Sequence, residues 1–198
     1  MIYSKDIIQM PKISKSWSDD AYNCFVETLY TDCDYIYLAN GKQVARTKDF
    51  TLEYYTRNKT FTITENKTSH IAGILYAYNF DFSEVLNLSS RGIMIDNPVI
   101  FKEYRGKGLS LWAYKKIQRF YDLPIVSCTS HTKDVLNSVW GNFHKTGIIY
   151  AKNKVTKELI FNWSTEYLNT THGEDGKDWY LIYQGEYKYG RKTWSGER

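Results

Sequence analysis

Apolar and polar positions alternate with a period of two along several short stretches of this chain, and only a few segments carry helical spacing. Phe61-Thr62-Ile63-Thr64 and Ile71-Ala72-Gly73-Ile74-Leu75-Tyr76 read as strands separated by a polar loop. Tyr35-Ile36-Tyr37-Leu38 and Gln43-Val44-Ala45 flank Asn40-Gly41, whose tolerance of positive φ predicts a hairpin turn. Ile93-Met94-Ile95 and Val99-Ile100-Phe101 predict a buried strand interrupted at Asp96-Asn97-Pro98. Proline removes a ladder donor there, so a bulge or break is expected. Helical spacing of Leu109, Trp112, Ala113, Ile117 and Phe120 predicts a helix from Leu109 to Tyr121. Pro124 to Cys128 follows as a short strand, then a polar turn at Thr129 to Thr132. A second helix is expected from near Lys133 to His144, ended by Gly147, with Ile148-Ile149-Tyr150 opening the next strand. Upstream, Tyr3 to Met10 can open as a strand, and Ser16-Trp17-Ser18-Asp19-Asp20 caps a helix reaching Leu29 or Tyr30. Downstream, Leu159-Ile160-Phe161 and Trp179 to Tyr183 predict a C-terminal strand pair around a polar loop from Thr170 to Lys177.

That order gives an α/β (α+β) class: a mixed, largely antiparallel central sheet flanked by helices. A length of 198 residues suits a single domain over 1–198 with its own core. With 42% apolar residues, 24% charged and only three prolines, extended disorder is not expected. Aromatic residues reach 17%, a content that fits half-buried strand faces. The formal charge of +4 favours an anionic ligand without by itself indicating nucleic acid. Cys24, Cys33 and Cys128 are odd in number and lack metal-type spacing, so neither a disulfide framework nor a metal site is expected. Cys24 and Cys128 lie among apolar residues, as buried thiols in a reducing compartment do. The first residues lack a signal-peptide layout, and no run approaches the roughly 18 apolar residues of a membrane span. The expectation is a cytoplasmic protein with no membrane partner.

The chemistry concentrates in Ile100-Phe101-Lys102-Glu103-Tyr104-Arg105-Gly106-Lys107-Gly108-Leu109-Ser110, where a strand feeds a helix through glycines. Free N–H groups at a helix start, with the positive end of its dipole, seat phosphate. Gly106 and Gly108 allow close approach, and Arg105 and Lys107 add charge. The Walker pattern G-x-x-x-x-G-K-[ST] is absent, and Leu111 stands where a dinucleotide fingerprint needs a small residue.

Glu103-Tyr104-Arg105-Gly106-Lys107-Gly108 resembles the pyrophosphate loop [QR]-x-x-G-x-[GA] of the GNAT family of acyl-coenzyme A dependent N-acetyltransferases. It departs from that pattern at Glu103. The resemblance covers about residues 92 to 150 and otherwise rests on element order. It implies a GNAT-like fold using acetyl-CoA as acyl donor, with an acetyl group passing to an amine by direct attack in a ternary complex. Backbone groups of Val99, Ile100 and Phe101 would meet the pantetheine arm. N–H groups from Arg105, Gly106, Lys107, Gly108, Leu109 and Ser110 would hold the diphosphate.

The family's next helix often carries N-x-x-A-x-x-[LF]-Y. Asn137-Ser138-Val139-Trp140-Gly141-Asn142-Phe143-His144 keeps the Asn, but has Trp140 for the small residue and His144 for Tyr. By that resemblance Asn137 would contact coenzyme A and His144 would protonate the leaving thiolate, a task open to imidazole. Counting back from Gly147 instead puts Phe143 at the Tyr position, and a histidine closing a helix also serves as a cap. Asp96, at the strand break, could relay the acceptor's proton, yet Asp-Asn-Pro is equally recognisable turn chemistry. His131, after the Cys128 strand, is a further polar candidate or else a helix-capping or loop residue, and Glu84 cannot be assigned a place.

The acceptor, a small-molecule or protein amine, is not written in these residues. Tyr187-Lys188-Tyr189-Gly190-Arg191-Lys192-Thr193-Trp194 interleaves cations with rings, which suits nucleic acid but also a charged edge strand. Two alternatives therefore stand beside the acetyltransferase. One is a DNA base-modifying enzyme like the phage Mom-type proteins, which resemble GNAT folds. The other is a catalytically silent protein binding coenzyme A or a partner. Terminal strands and aromatic surface are compatible with a homodimer.

Overall fold

In a computed structural model of the chain, residues 41–56, 59–81, 91–127, 135–167, 170–171 and 178–186 are described. The expectations for Tyr3–Met10, the Ser16 helix, Tyr35–Leu38, Glu84, Cys128, His131 and the tail from Tyr187 lie outside these residues. The chain divides into two units, Met1–Cys128 and Thr129–Arg198.

Among the described residues of the first unit six strands stand in sequence order: β1 (Lys42–Arg46), β2 (Phe50–Tyr55), β3 (Thr60–Glu65), β4 (Ile71–Asp81), β5 (Arg91–Ile100) and β6 (Ile125–Ser127). The pairs from β1·β2 to β4·β5 are antiparallel, and β5·β6 is parallel. The mixed, largely antiparallel sheet expected from the sequence is present. β2 was not anticipated as a strand, although it supplies the antiparallel partner of β1.

Between β5 and β6 runs α1 (Leu109–Tyr121), which buries Leu109, Ala113, Tyr114 and Ile117. Spacings of four, one and three place these residues on one stripe of the helix. Its C-terminal rings meet the sheet: Phe120 lies 5.4 Å from Tyr54 and 5.9 Å from Phe61, ring centre to ring centre. The Lys42 ammonium lies 5.1 Å from the centre of Phe120. Strand register carries that face onward from Phe61 through Leu75 to Ala77 and Ile95. Asp96, opposite Tyr76, therefore points to the other face.

The Asp-Asn-Pro segment does not end β5. Ile74 pairs with Val99 and Tyr76 with Asp96, so Asn97 and Pro98 together oppose Leu75 alone. This is a bulge, the device that accommodates a proline inside a ladder. It also turns Asp96 and Val99, three positions apart, to the same face.

In the second unit β7 (Gly147–Asn153) lies between β8 (Leu159–Ile160) and β9 (Trp179–Glu186), antiparallel to both. The two expected C-terminal strands are present as β8 and β9, each paired with β7. A π-helical turn, Leu136–Trp140, runs into the short helix α2 (Gly141–His144). Gly147 does not cap this helix, as expected from sequence, but opens β7. A Cβ at Gly147 would stand 2.2 Å from the Gly185 carbonyl oxygen, so glycine is required by close backbone approach. Phe143 is fully buried and stacks on Tyr183 at 4.1 Å and 12°. Trp163 is also fully buried, its indole N–H donating to Thr171 Oγ1 at 3.1 Å. No helix among the described residues is long and apolar enough to cross a membrane.

Candidate functional site

The first unit gathers most of the sequence-nominated residues where β5 passes into α1. Ile93 to Ile95 pair with Ile125 to Ser127 of β6, and the described parallel pairing stops there. β5 continues beyond it through Val99 and Ile100. The Phe101 N–H donates to the Ala72 carbonyl at 3.0 Å, and Val99 is aligned with Ile74 two positions along that ladder. Alternation of antiparallel bonds then turns the backbone groups of Ile100 away from β4. Of the three residues expected to meet a pantetheine arm, Ile100 is the one whose N–H and C=O face that side. Its carbonyl accepts from Arg105 Nε at 3.0 Å. Phe101 is buried, and Val99 and Ile100 are half-buried.

A 3-10 turn, Lys102–Tyr104, leads to an exposed corner at Arg105 to Gly108. Gly106 has φ +75° and Gly108 φ +72°, a region where side-chain-bearing residues are strained. Gly108 also occupies the N-cap of α1, its carbonyl accepting the Trp112 N–H at 3.0 Å. No side chain caps the helix start. The N–H groups of Gly108, Leu109, Ser110 and Leu111 have no partner among the described residues. A Cβ added at Gly106 or Gly108 would meet nothing within 4 Å, so the space over the loop is open. Four free donors, the positive end of a 13-residue helix and open space make an anion seat.

Lys107, between the glycines, directs its ammonium toward the rings of Tyr104 and Phe50. Glu65, at the end of β3, is held below the usual carboxylate range chiefly by the Thr68 hydroxyl, with Tyr104 and Lys107 adding to the effect. Burial, followed by the charge of Glu65, pushes the Tyr104 phenol up. Sequence reasoning did not single out Phe50, Glu65 or Tyr104. Tyr104 lay inside the motif without an assigned role, and nothing in the chain marks Glu65 as its neighbour.

Asp96 is half-buried on the face away from α1, immediately before the bulge. Asn137 and His144 belong to the second unit. Asn137 is exposed in the π-helical turn, and His144 closes α2 half-buried. The His144 Nδ1 atom is buried without a hydrogen-bond partner among the described residues. Phe143, the other candidate for the expected tyrosine position, is committed to the core against Tyr183. Among the described residues, no three His, Cys, Asp or Glu side chains form a group able to hold a metal ion.

No protein-family model and no curated protein sequence matches the chain. Among solved structures it is similar to the Bacillus subtilis N-acetyltransferase YlbP in complex with coenzyme A, at 11% identity and a TM-score of 0.39. The likeness covers 63% of this chain and 66% of that one, just under two thirds of its length.

Proposed function

We propose that this chain is an acyl-coenzyme A dependent N-acetyltransferase whose donor binds at the Arg105–Ser110 loop. The observation that carries the proposal is the set of free N–H groups from Gly108 to Leu111 beneath open space, directly after a strand end that turns Ile100 outward. The diphosphate sits on those donors. The pantetheine arm runs along Ile100, whose N–H faces away from β4. The GNAT resemblance alone adds Asn137 as a further contact to the coenzyme.

An amine attacks the thioester carbonyl, forming a C–N bond as the C–S bond breaks, and the electron pair leaves on sulfur. Asp96 accepts the proton released by the amine, and the GNAT resemblance alone assigns to His144 the proton taken up by the thiolate. The products are an amide and free coenzyme A. Positioning and electrostatic stabilisation do the catalytic work, so no covalent nucleophile is needed.

Calorimetric titration of acetyl-coenzyme A into wild type and Gly106→Trp tests the donor site. The expected result is micromolar binding lost in the variant, because the indole fills the open space over the loop. Absence of binding to the wild type overturns the proposal. Release of free thiol in the presence of a panel of amines then tests transfer.

A further inference from the structure

The turn between β3 and β4 is tied to the glycine loop through the side chain of Tyr104. Lys107 Nζ lies 5.0 Å from the ring centre of Tyr104 and 5.7 Å from that of Phe50, both within cation–π reach. The two rings meet edge to face, 6.1 Å apart at 85°, and form two walls of a seat. Phe50 is anchored at the start of β2, where its N–H donates to Thr47 Oγ1 at 2.9 Å. The Tyr104 hydroxyl lies 3.4 Å from Glu65 Oε2, and the same oxygen accepts from Thr68 Oγ1 at 2.5 Å. A lysine ammonium on its four-carbon stem is ordinarily mobile. Here two rings and the neighbouring Glu65 carboxylate favour one location for it.

We propose that Tyr104 is a positioning residue for phosphate binding: with Phe50 it holds the Lys107 ammonium at the rim of the glycine loop, where it meets the charge of the ligand's phosphates. This rests on the loop receiving the diphosphate of coenzyme A. The Glu65 carboxylate serves the seat rather than the ligand, since it anchors the phenol from the β3–β4 turn. The ring supplies the essential part, because the cation interacts with its face and not with the hydroxyl.

A double-mutant cycle tests the assignment, using Tyr104→Leu, Lys107→Met and the pair, with coenzyme A and inorganic pyrophosphate as separate calorimetric probes. Tyr104→Leu is expected to weaken both probes about threefold to fivefold, the scale of an exposed cation–π contact. Lys107→Met is expected to weaken them about tenfold. In the Lys107→Met background, Tyr104→Leu should add nothing. Tyr104→Phe keeps the ring and should stay within about twofold of wild type. Equal losses from Tyr104→Leu in both backgrounds overturn the proposal, since the ring would then act through packing alone. An unchanged affinity in Lys107→Met overturns it as well. Coupled pyrophosphate binding without coenzyme A binding leaves the seat standing and removes the acetyltransferase proposal. Coenzyme A binding without coupling does the reverse, and failure of both probes removes both.

Discussion

Arg105 Nε donates to the main-chain carbonyl of Ile100 at 3.0 Å, closing the corner between the end of β5 and the glycine loop. That carbonyl faces away from β4, and the guanidinium supplies a partner that the sheet does not. The bond also steers Arg105 back toward the strand end, while Lys107 lies against the rings of Tyr104 and Phe50. Arg105→Met keeps much of the stem while removing the donor. Coenzyme A affinity should fall roughly fivefold to tenfold, the upper part of the range for an ordinary net hydrogen bond, since exposure to solvent screens the charge of this one. The thermal midpoint should hardly change, because the bond is exposed. Arg105→Lys should not restore affinity, since a point ammonium lacks the planar fork of arginine. Calorimetry beside a melting curve checks both halves, and wild-type affinity in Arg105→Met would refute the role.

The two left-handed glycines make a separate prediction. Nothing lies within 4 Å of a Cβ at Gly106 or Gly108, so alanine there costs backbone strain and creates no clash with the protein. Each Gly→Ala change should destabilise the fold by about 1 kcal/mol in denaturant titration. A D-alanine installed by semisynthesis, which favours positive φ, should recover most of that loss. An equal loss with either enantiomer would show that strain is not the cause.

The strand–loop–helix corner was legible in sequence because its signals are local. Gly106 and Gly108 announce positive φ, and the apolar stripe of α1 begins at the next residue. Pro98 likewise announced an irregularity, which the register shows to be a bulge within a continuous strand. β2 was missed although Phe50, Leu52 and Tyr54 alternate with Thr51 and Glu53, because Tyr55 breaks the alternation and polar residues surround the segment. The place of Gly147 depends on Gly185, 38 residues later, and no local pattern reports so distant a backbone approach. The Lys107 seat is hidden for the same reason. Phe50, Glu65 and Tyr104 come from three elements, and only the strand register brings them together.

Alkaline pH should reach the first unit through its buried phenols. Burial, followed by the charge of Glu53, pushes the Tyr55 hydroxyl up to about 12 from 10.0. Burial pushes Tyr121 upward as well. A raised phenol favours its neutral form in the folded protein, so its contribution to stability is complete below pH 10 and is lost as pH rises through about 12. Denaturant midpoints should therefore hold up to about pH 9 and fall steeply above about pH 10. Tyr55→Phe should flatten part of that fall. A variant with the wild-type alkaline profile would exclude Tyr55 as its source, and absorbance titration of tyrosinate gives an independent reading.

His144 offers the sharpest test of the proposed chemistry, because its neighbour Phe143 competes for the same role in the helix. Phe143 is stacked on Tyr183 inside the second unit, and its ring carries no proton to give. His144 is half-buried, with Nδ1 out of solvent and without a partner among the described residues. If the imidazole protonates the leaving thiolate, His144→Gln should lower kcat about a hundredfold while KM for acetyl-coenzyme A stays within about twofold. His144→Tyr, which installs the residue expected from the GNAT pattern, should recover activity in part and move the alkaline limb of the kcat profile upward. A purely structural histidine predicts something different. Both variants would then lose stability together, and the surviving folded enzyme would turn over at the wild-type rate with an unaltered pH profile.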